Sequence, residues 1–301
     1  MVPCSTRVRR RVHPRKNHFT LQKLSGAAGA YTVPLSNLPN YPSPKQSSHV
    51  QFRPYAYTDE RALATAMTLP EHHAAFLSEF LNPVYLQPRT MKALAVRFAE
   101  ESSLELYYFL SNDLAQALEN RLRDLDAKDG LGPDRPSPIP PHTAAIASPF
   151  NQSNWRLRGP PHKWRYCTLT PRPANAKFAI AVEPRAAQSS SDEILRSLQD
   201  ELFPSDAFRS WLAIVASLVP LGWFCEARRF RPGLDYTLAT SDDKEARLDV
   251  VLGLTPETRG SNGSTNEKSN AMNVGNGEEG KQTGWQAAEW GGWEVSHAFR
   301  V

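Results

Sequence analysis

Three cysteines, Cys4, Cys167 and Cys225, are too few for a disulfide framework in a chain of 301 residues, and they set the protein in a reducing environment. No uninterrupted apolar stretch approaches the roughly 18 residues of a membrane span, which rules out an integral membrane helix. The first residues lack the apolar core of a secretory signal. The sequons Asn151-Gln-Ser153 and Asn262-Gly-Ser264 are therefore accidental. There is no Gly-x-Ser-x-Gly elbow, phosphate-binding glycine loop or His-Glu-x-x-His, and no cysteine pair has zinc spacing. His72-His73 does not fill that gap, since adjacent helical positions point about 100° apart and cannot readily clasp one ion. Cys167 and Cys225 sit within strand patterns and read as small buried residues.

Acidic residues are missing from 1–58, which hold nine basic ones: Arg7, Arg9, Arg10, Arg11, Arg15, Lys16, Lys23, Lys45 and Arg53. Residues 59–301 carry the other 26 basic residues against 31 acidic, so the formal charge of +4 hides a mildly acidic body with a basic tail. The cluster Arg7–Lys16 fits a nuclear-import or nucleic-acid patch, an Arg-rich presequence, or a solvated arm. The acidic body disfavours nucleic acid as a partner.

The hydrophobic pattern divides the chain. Residues 1–58 show no periodicity and read as a disordered basic tail. Residues 59–127 read as a helical segment. Phe76, Leu77, Phe80 and Leu81 share one helical face, and Met91, Leu94 and Phe98 another. A third helix is expected from Ser102 or Ser103 through Leu114, Leu118, Leu122 and Leu125, with a break allowed near Asn112, ending at Asp129-Gly130. Residues 128–153 are Pro-rich, a linker or long surface loop. From 154 to 301 the period switches to two: Trp164–Leu169, Lys177–Val182, Trp223–Arg231, Leu234–Thr240 and Arg247–Thr255 are predicted strands. Pro232-Gly233 marks a turn. Ser190 with Glu193 forms a capping box, and Ser205 caps the next helix. Residues 257–284 hold six Gly, five Asn and three Ser with no aromatic, and read as a disordered insertion.

Arg229-Phe230-Arg231-Pro232-Gly233-Leu234-Asp235-Tyr236 resembles the stretch that leads into the iron site of prolyl-hydroxylase-type oxygenases, where an Arg-aromatic-x-x-Gly-x-x-Tyr strand pair precedes His-x-Asp. Counting on, the histidine position falls on Ala239 and the aspartate position on Ser241. A methyl group does not ligate, and a neutral hydroxyl is a poor stand-in for a carboxylate in a facial triad. Asp242 and Asp243 are displaced by one or more residues, and a one-residue slip turns a strand side chain to the opposite sheet face.

The resemblance extends through Phe76-Leu-Ser-Glu-Phe-Leu-Asn-Pro, Glu100-Glu-Ser-Ser, Trp155-Arg-Leu-Arg-Gly-Pro-Pro-His-Lys-Trp-Arg-Tyr, Leu202-Phe-Pro-Ser-Asp-Ala-Phe-Arg-Ser-Trp-Leu and Gly291-Gly-Trp-Glu294. Over roughly residues 66–294 the chain resembles the C-terminal degradation domain of the fungal oxoglutarate/iron-dependent prolyl dihydroxylase family. That resemblance implies an α+β fold: an incomplete double-stranded β-helix, jelly-roll or cupin-like, with an N-terminal helical layer. In that family a separate N-terminal domain binds Fe(II) and 2-oxoglutarate, uses ascorbate, and hydroxylates a proline of a ribosomal protein. The second domain serves protein interaction and oxygen-linked control of a transcription factor.

The resemblance therefore implies a non-catalytic module with no cofactor on this chain. Its partners would be an N-terminal catalytic domain and ribosomal or transcription-factor-related proteins, in the cytoplasm or nucleus and away from membranes. Arg228, Arg229, Arg231 and Trp293 are the candidate interface or structural residues. An exposed Arg often anchors an interface, whereas a buried one would pair with acids such as Asp235. Two other readings stand beside this one: an active hydroxylase drawing ligands from His162 or His297, and nucleic-acid binding through the tail. The sequence also leads us to expect a truncated gene product, without the catalytic half and the last strands of the barrel.

Overall fold

The computed structural model describes residues 17–24, 52–55, 60–132, 135–137, 139–146, 153–159, 161, 164–170, 187, 190–237, 247–255 and 292–300. The strands are β1 (His18–Leu24), β2 (Arg53–Pro54), β3 (Ser103–Leu106), β4 (Trp155–Arg158), β5 (Trp164–Leu169), β6 (Gly222–Phe230), β7 (Tyr236–Thr237), β8 (Arg247–Gly253) and β9 (Gly292–Arg300), and β5, β6 and β8 follow predicted period-two stretches. Among the described residues they join in one sheet of order β3-β1-β8-β9-β6-β5-β4, with β2 on β6 and β7 on β5. Every pairing is antiparallel.

Alternation along these strands defines two faces. One carries Phe19 and Leu21 of β1, Leu248, Val250 and Leu252 of β8, and Val295 and Phe299 of β9, all fully buried. Helices cover it: α1 (Glu60–Thr65), α2 (Glu71–Ser78), α3 (Pro88–Glu101), α4 (Asn112–Lys128), α5 (Ser191–Arg196) and α6 (Asp206–Ala216). Helix α6 lies at the centre of this layer. Its Phe208 and Trp211 stack at 5.5 Å, and Trp211 meets Phe19 and Phe109 edge-on at 5.9 and 5.7 Å. Each such side chain contributes about 1.5–3 kcal/mol by leaving water. No helix among the described residues is long and apolar enough to cross a membrane.

Local signals place most of these elements where the sequence predicts them. Ser190 accepts from the Glu193 N–H and Glu193 returns the bond, so α5 begins with the expected capping box. Ser205 accepts from the Phe208 N–H to start α6. Pro88 opens α3. Strand β5 has the predicted bounds, and β6 and β8 deviate from theirs by one or two residues.

Other expectations are corrected. His18–Leu24 is a strand inside the sheet, paired to β8 on one side and β3 on the other, not part of a disordered tail. Residues 53–54 pair with β6, and Tyr55 lies under the Arg209 guanidinium at 4.5 Å. The third helix does not begin at Ser102 or Ser103. Ser102 has a left-handed φ of 53° that ends α3, Ser103–Leu106 is β3, and α4 starts at Asn112. The Ser190 helix widens into a π-helical turn at Ser197–Leu202. Of the predicted Leu234–Thr240 strand, Leu234 and Asp235 belong to the turn after Arg231, Tyr236–Thr237 is β7, and residues 238–240 lie outside the described residues. In 128–153, Leu131 and Ala145 are buried against the body, so this stretch is more than a spacer. The basic cluster Arg7–Lys16, the predicted strand Lys177–Val182 and the 257–284 insertion lie outside the described residues.

Candidate functional site

Strand β6 and the residue that follows it read Glu226-Ala227-Arg228-Arg229-Phe230-Arg231, which places charged side chains on both faces of the sheet. On the helix-covered face, Ala227 is buried in the core and Arg229 is 1% exposed. The partners of Arg229 are set by the end of α4. There Gly130 takes a left-handed φ of 67°, its N–H reaches Ala127 C=O, and the Leu131 N–H reaches Asp126 C=O. This is a Schellman cap with Leu131 tucked beneath it. It holds Asp126 and Asp129 toward the sheet, and Arg229 pairs with them at 2.7 and 2.5 Å. The Trp293 indole N–H donates to Asp126 at 2.9 Å, and its ring lies 4.3 Å under the Arg229 guanidinium. Burial raises the Asp126 carboxyl above the ordinary range, with Arg229 and the indole N–H opposing that rise.

Arg231 follows the same logic two residues later. Pro232 and Gly233 (φ 67°) form a turn in which the Leu234 and Asp235 N–H groups reach Arg231 C=O. Gly233 is required there, because a Cβ would sit 3.2 Å from Ile139 Cγ1 as well as in a left-handed backbone. The turn brings Asp235 back onto Arg231 in a two-pronged pair at 2.8 and 2.9 Å. Arg231 also donates to His142 C=O at 2.6 Å, fastening the Pro-rich segment. Both side chains of the Arg231–Asp235 pair are fully buried.

On the opposite face, Glu226 is a hub. The Tyr166 hydroxyl donates to it at 2.6 Å, Arg228 Nη2 lies at 2.6 Å, and Arg158 completes the set. Arg228 reaches across to Glu294 at 3.2 Å and covers the Tyr166 ring at 4.9 Å. Burial works against the Arg228 charge, but Glu226, Tyr166 and Glu294 outweigh it and hold the guanidinium protonated. Burial likewise raises Glu294, with Arg228 opposing.

Of the candidate interface residues, Arg229, Arg231 and Trp293 are buried and present nothing to a partner. Arg228 has a fifth of its side chain exposed and is committed to two acids. Of the two readings held for Arg231, its burial favours the structural one: an Arg with no exposed side chain is paired inside the fold, and replacing it would disturb that fold. Sequence reasoning missed Asp126, Asp129, Glu226, Tyr166 and Glu294. The arginines of a strand-patterned stretch were a signal, because each buried Arg requires an acid from elsewhere in the chain.

Ala239, Ser241 and His162 lie outside the described residues, and so does the side chain of His297, whose backbone pairs with Cys225 and Val250. Among the described residues no three His, Cys, Asp or Glu side chains are grouped to hold a metal ion.

Taken together, a helix-covered antiparallel sheet with an Arg–acid lattice through its centre defines an α+β domain. The model of the family described as "oxoglutarate and iron-dependent oxygenase degradation C-term" matches residues 72–298, and the chain belongs to that family. The chain is also similar to a prolyl 3,4-dihydroxylase, OGFOD1, of Ostreococcus tauri, with 31% identity over 182 residues, covering 60% of this chain and 32% of that protein. The chain thus matches about a third of the length of that curated relative.

Proposed function

We propose that this chain is a non-catalytic module of a prolyl-hydroxylase-like protein, a double-stranded β-helix type of domain that acts through protein contacts. The observation that carries the reading is the identity of the donor positions: a methyl at Ala239 and a hydroxymethyl at Ser241 leave a facial triad with one distant histidine at most. The motif upstream supports it, because Arg229, Arg231 and Asp235 are consumed in internal pairs. Fold membership alone confers no activity.

The partners that suit this reading are an iron- and 2-oxoglutarate-binding catalytic domain, together with the ribosomal or transcription-factor-related proteins it serves, in the cytoplasm or nucleus. The test is metal and turnover on the purified chain. Equilibrium dialysis against Fe(II) with 2-oxoglutarate should leave no stoichiometric iron, and no 2-oxoglutarate should be consumed with prolyl peptides. Stoichiometric iron that is lost on chelation and accompanied by turnover would establish an active dioxygenase instead.

A further inference from the structure

Strand β1 enters the sheet from outside the module that the family defines. The family match begins at residue 72, yet His18–Leu24 occupies an interior position of the sheet, between the edge strand β3 and β8. Seven residues pair with β8, and four pair with β3. Among the described residues β3 joins the sheet only through β1, so an empty slot would leave two strand edges with unpaired N–H and C=O groups.

The slot reads its occupant by the rules of strand addition: main-chain bonds along both edges, and pockets for alternate side chains. Phe19 stacks on Phe109 at 4.0 Å, and Leu21 is fully buried two residues on. Each end is latched by backbone. Asn17, with φ 36°, accepts the Phe109 N–H on its C=O and the Leu110 N–H on its side chain at 2.9 Å. At the other end the Lys23 N–H donates to Ser102 C=O at 3.0 Å. These contacts amount to a binding site for an extended peptide with a two-residue apolar repeat.

We propose that the β3–β8 gap is a strand-acceptor site and that its occupant, His18–Leu24, exchanges with the same strand of a second copy of this chain. The length of chain outside the structure permits this. Twenty-seven residues separate Leu24 from Phe52, a reach of about 90 Å when extended, against a radius of gyration of about 18 Å expected for a domain of this size. Exchange of an identical element between protomers preserves every contact and adds little cost. The inference is independent of whether the chain binds iron.

The experiment uses the full chain with a protease site inserted within residues 25–51, folded first and then cut. A fluorescent peptide spanning residues 16–25 should be taken up saturably, one per chain, with competition by the unlabelled peptide. The Leu21→Asp peptide should bind at least about tenfold more weakly, since it would bury a carboxylate. Separately, two differently tagged uncut chains incubated together at high concentration should co-purify, and excess 16–25 peptide should suppress the mixed species. Absence of peptide uptake would overturn the slot. Peptide uptake without mixed copies would overturn the second-copy occupant.

Discussion

Arg228 and Arg229 are adjacent in sequence and opposite in setting. Arg229 faces the helices, is 1% exposed and is answered by two carboxylates from the cap of α4. Arg228 faces away from the helices, keeps a fifth of its side chain in solvent, and shares Glu226 and Glu294. The first is a staple between layers, made from residues about a hundred positions apart. The second belongs to a lateral network running across β5, β6 and β9. Burial decides what each is worth: a desolvated charge is costly to leave alone, whereas one near water is partly relieved by it.

The largest effect should come from breaking the staple. Arg229→Ala strands Asp126 and Asp129 beneath Trp293, and we expect a loss of about 3–5 kcal/mol in urea unfolding. Arg229→Met combined with Asp126→Asn and Asp129→Asn should recover most of it, because no uncompensated charge then remains. If the single and triple variants are equally destabilised, packing of the guanidinium rather than its charge holds α4 to the sheet.

Cys167, which sits opposite Arg229 in the β5–β6 register, tests the same face by pH. Burial pushes its thiol from 9.0 up to about 11, with Arg231 pulling the other way. The folded state therefore holds the proton more tightly than the unfolded chain does. The associated stability is complete below pH 9 and is lost as pH rises toward 11, at up to about 1.4 kcal/mol per unit, or about 2–3 kcal/mol in all. Cys167→Ala should flatten that alkaline limb relative to the parent chain, measured by urea midpoints at pH 8, 9.5 and 11.

Breaking the lateral network should cost less. Glu226→Gln keeps the shape but removes the anion shared by Tyr166, Arg228 and Arg158. Arg228 retains Glu294 and some water, so we expect about 1–2 kcal/mol by urea unfolding. A loss equal to that of Arg229→Ala would erase the distinction between the two faces.

The same contrast explains what the sequence made legible. Features specified within a few residues were readable: the Ser190–Glu193 box, the Ser205 cap, the Asp129-Gly130 stop and the Pro232-Gly233 turn all act at i to i+4. Strand β1 was not readable, because one period-two step, Phe19 to Leu21, is too short for a periodic signal and sits in a stretch without acids. Strand β3 was absorbed into a helix for a related reason: Leu104 and Leu106 supply only one period-two step before α4 resumes the helical spacing. The partners of Arg229 lie 100 and 103 residues away. Sequence reasoning could name the basic residue and Asp235, four positions from Arg231, but not which distant acids the fold would bring to β6. The alternative of exposed interface arginines survived only because burial is a property of the assembled layers.

The smallest effect sharpens the comparison from the other end. Arg97 and Glu101 form the same chemical pair as Arg229 and Asp126, at 3.2 Å on the surface of α3, with side chains 49% and 51% exposed. Water solvates both ions whether or not they touch, and holding two long side chains in one geometry costs rotamer freedom. Their spacing of four residues favours contact, so Arg97→Ala should lower stability by about 0.3–0.5 kcal/mol at low salt. Raising ionic strength should reduce that difference, because the Debye length contracts to about 3 Å at 1 M and screens exposed charges first. The Arg229→Ala deficit should persist at the same salt, since the Arg229 guanidinium is only 1% exposed and buried charges are screened much less than exposed ones. A salt-sensitive Arg229 deficit would mean that solvent reaches the staple and that the two kinds of pair differ only in degree.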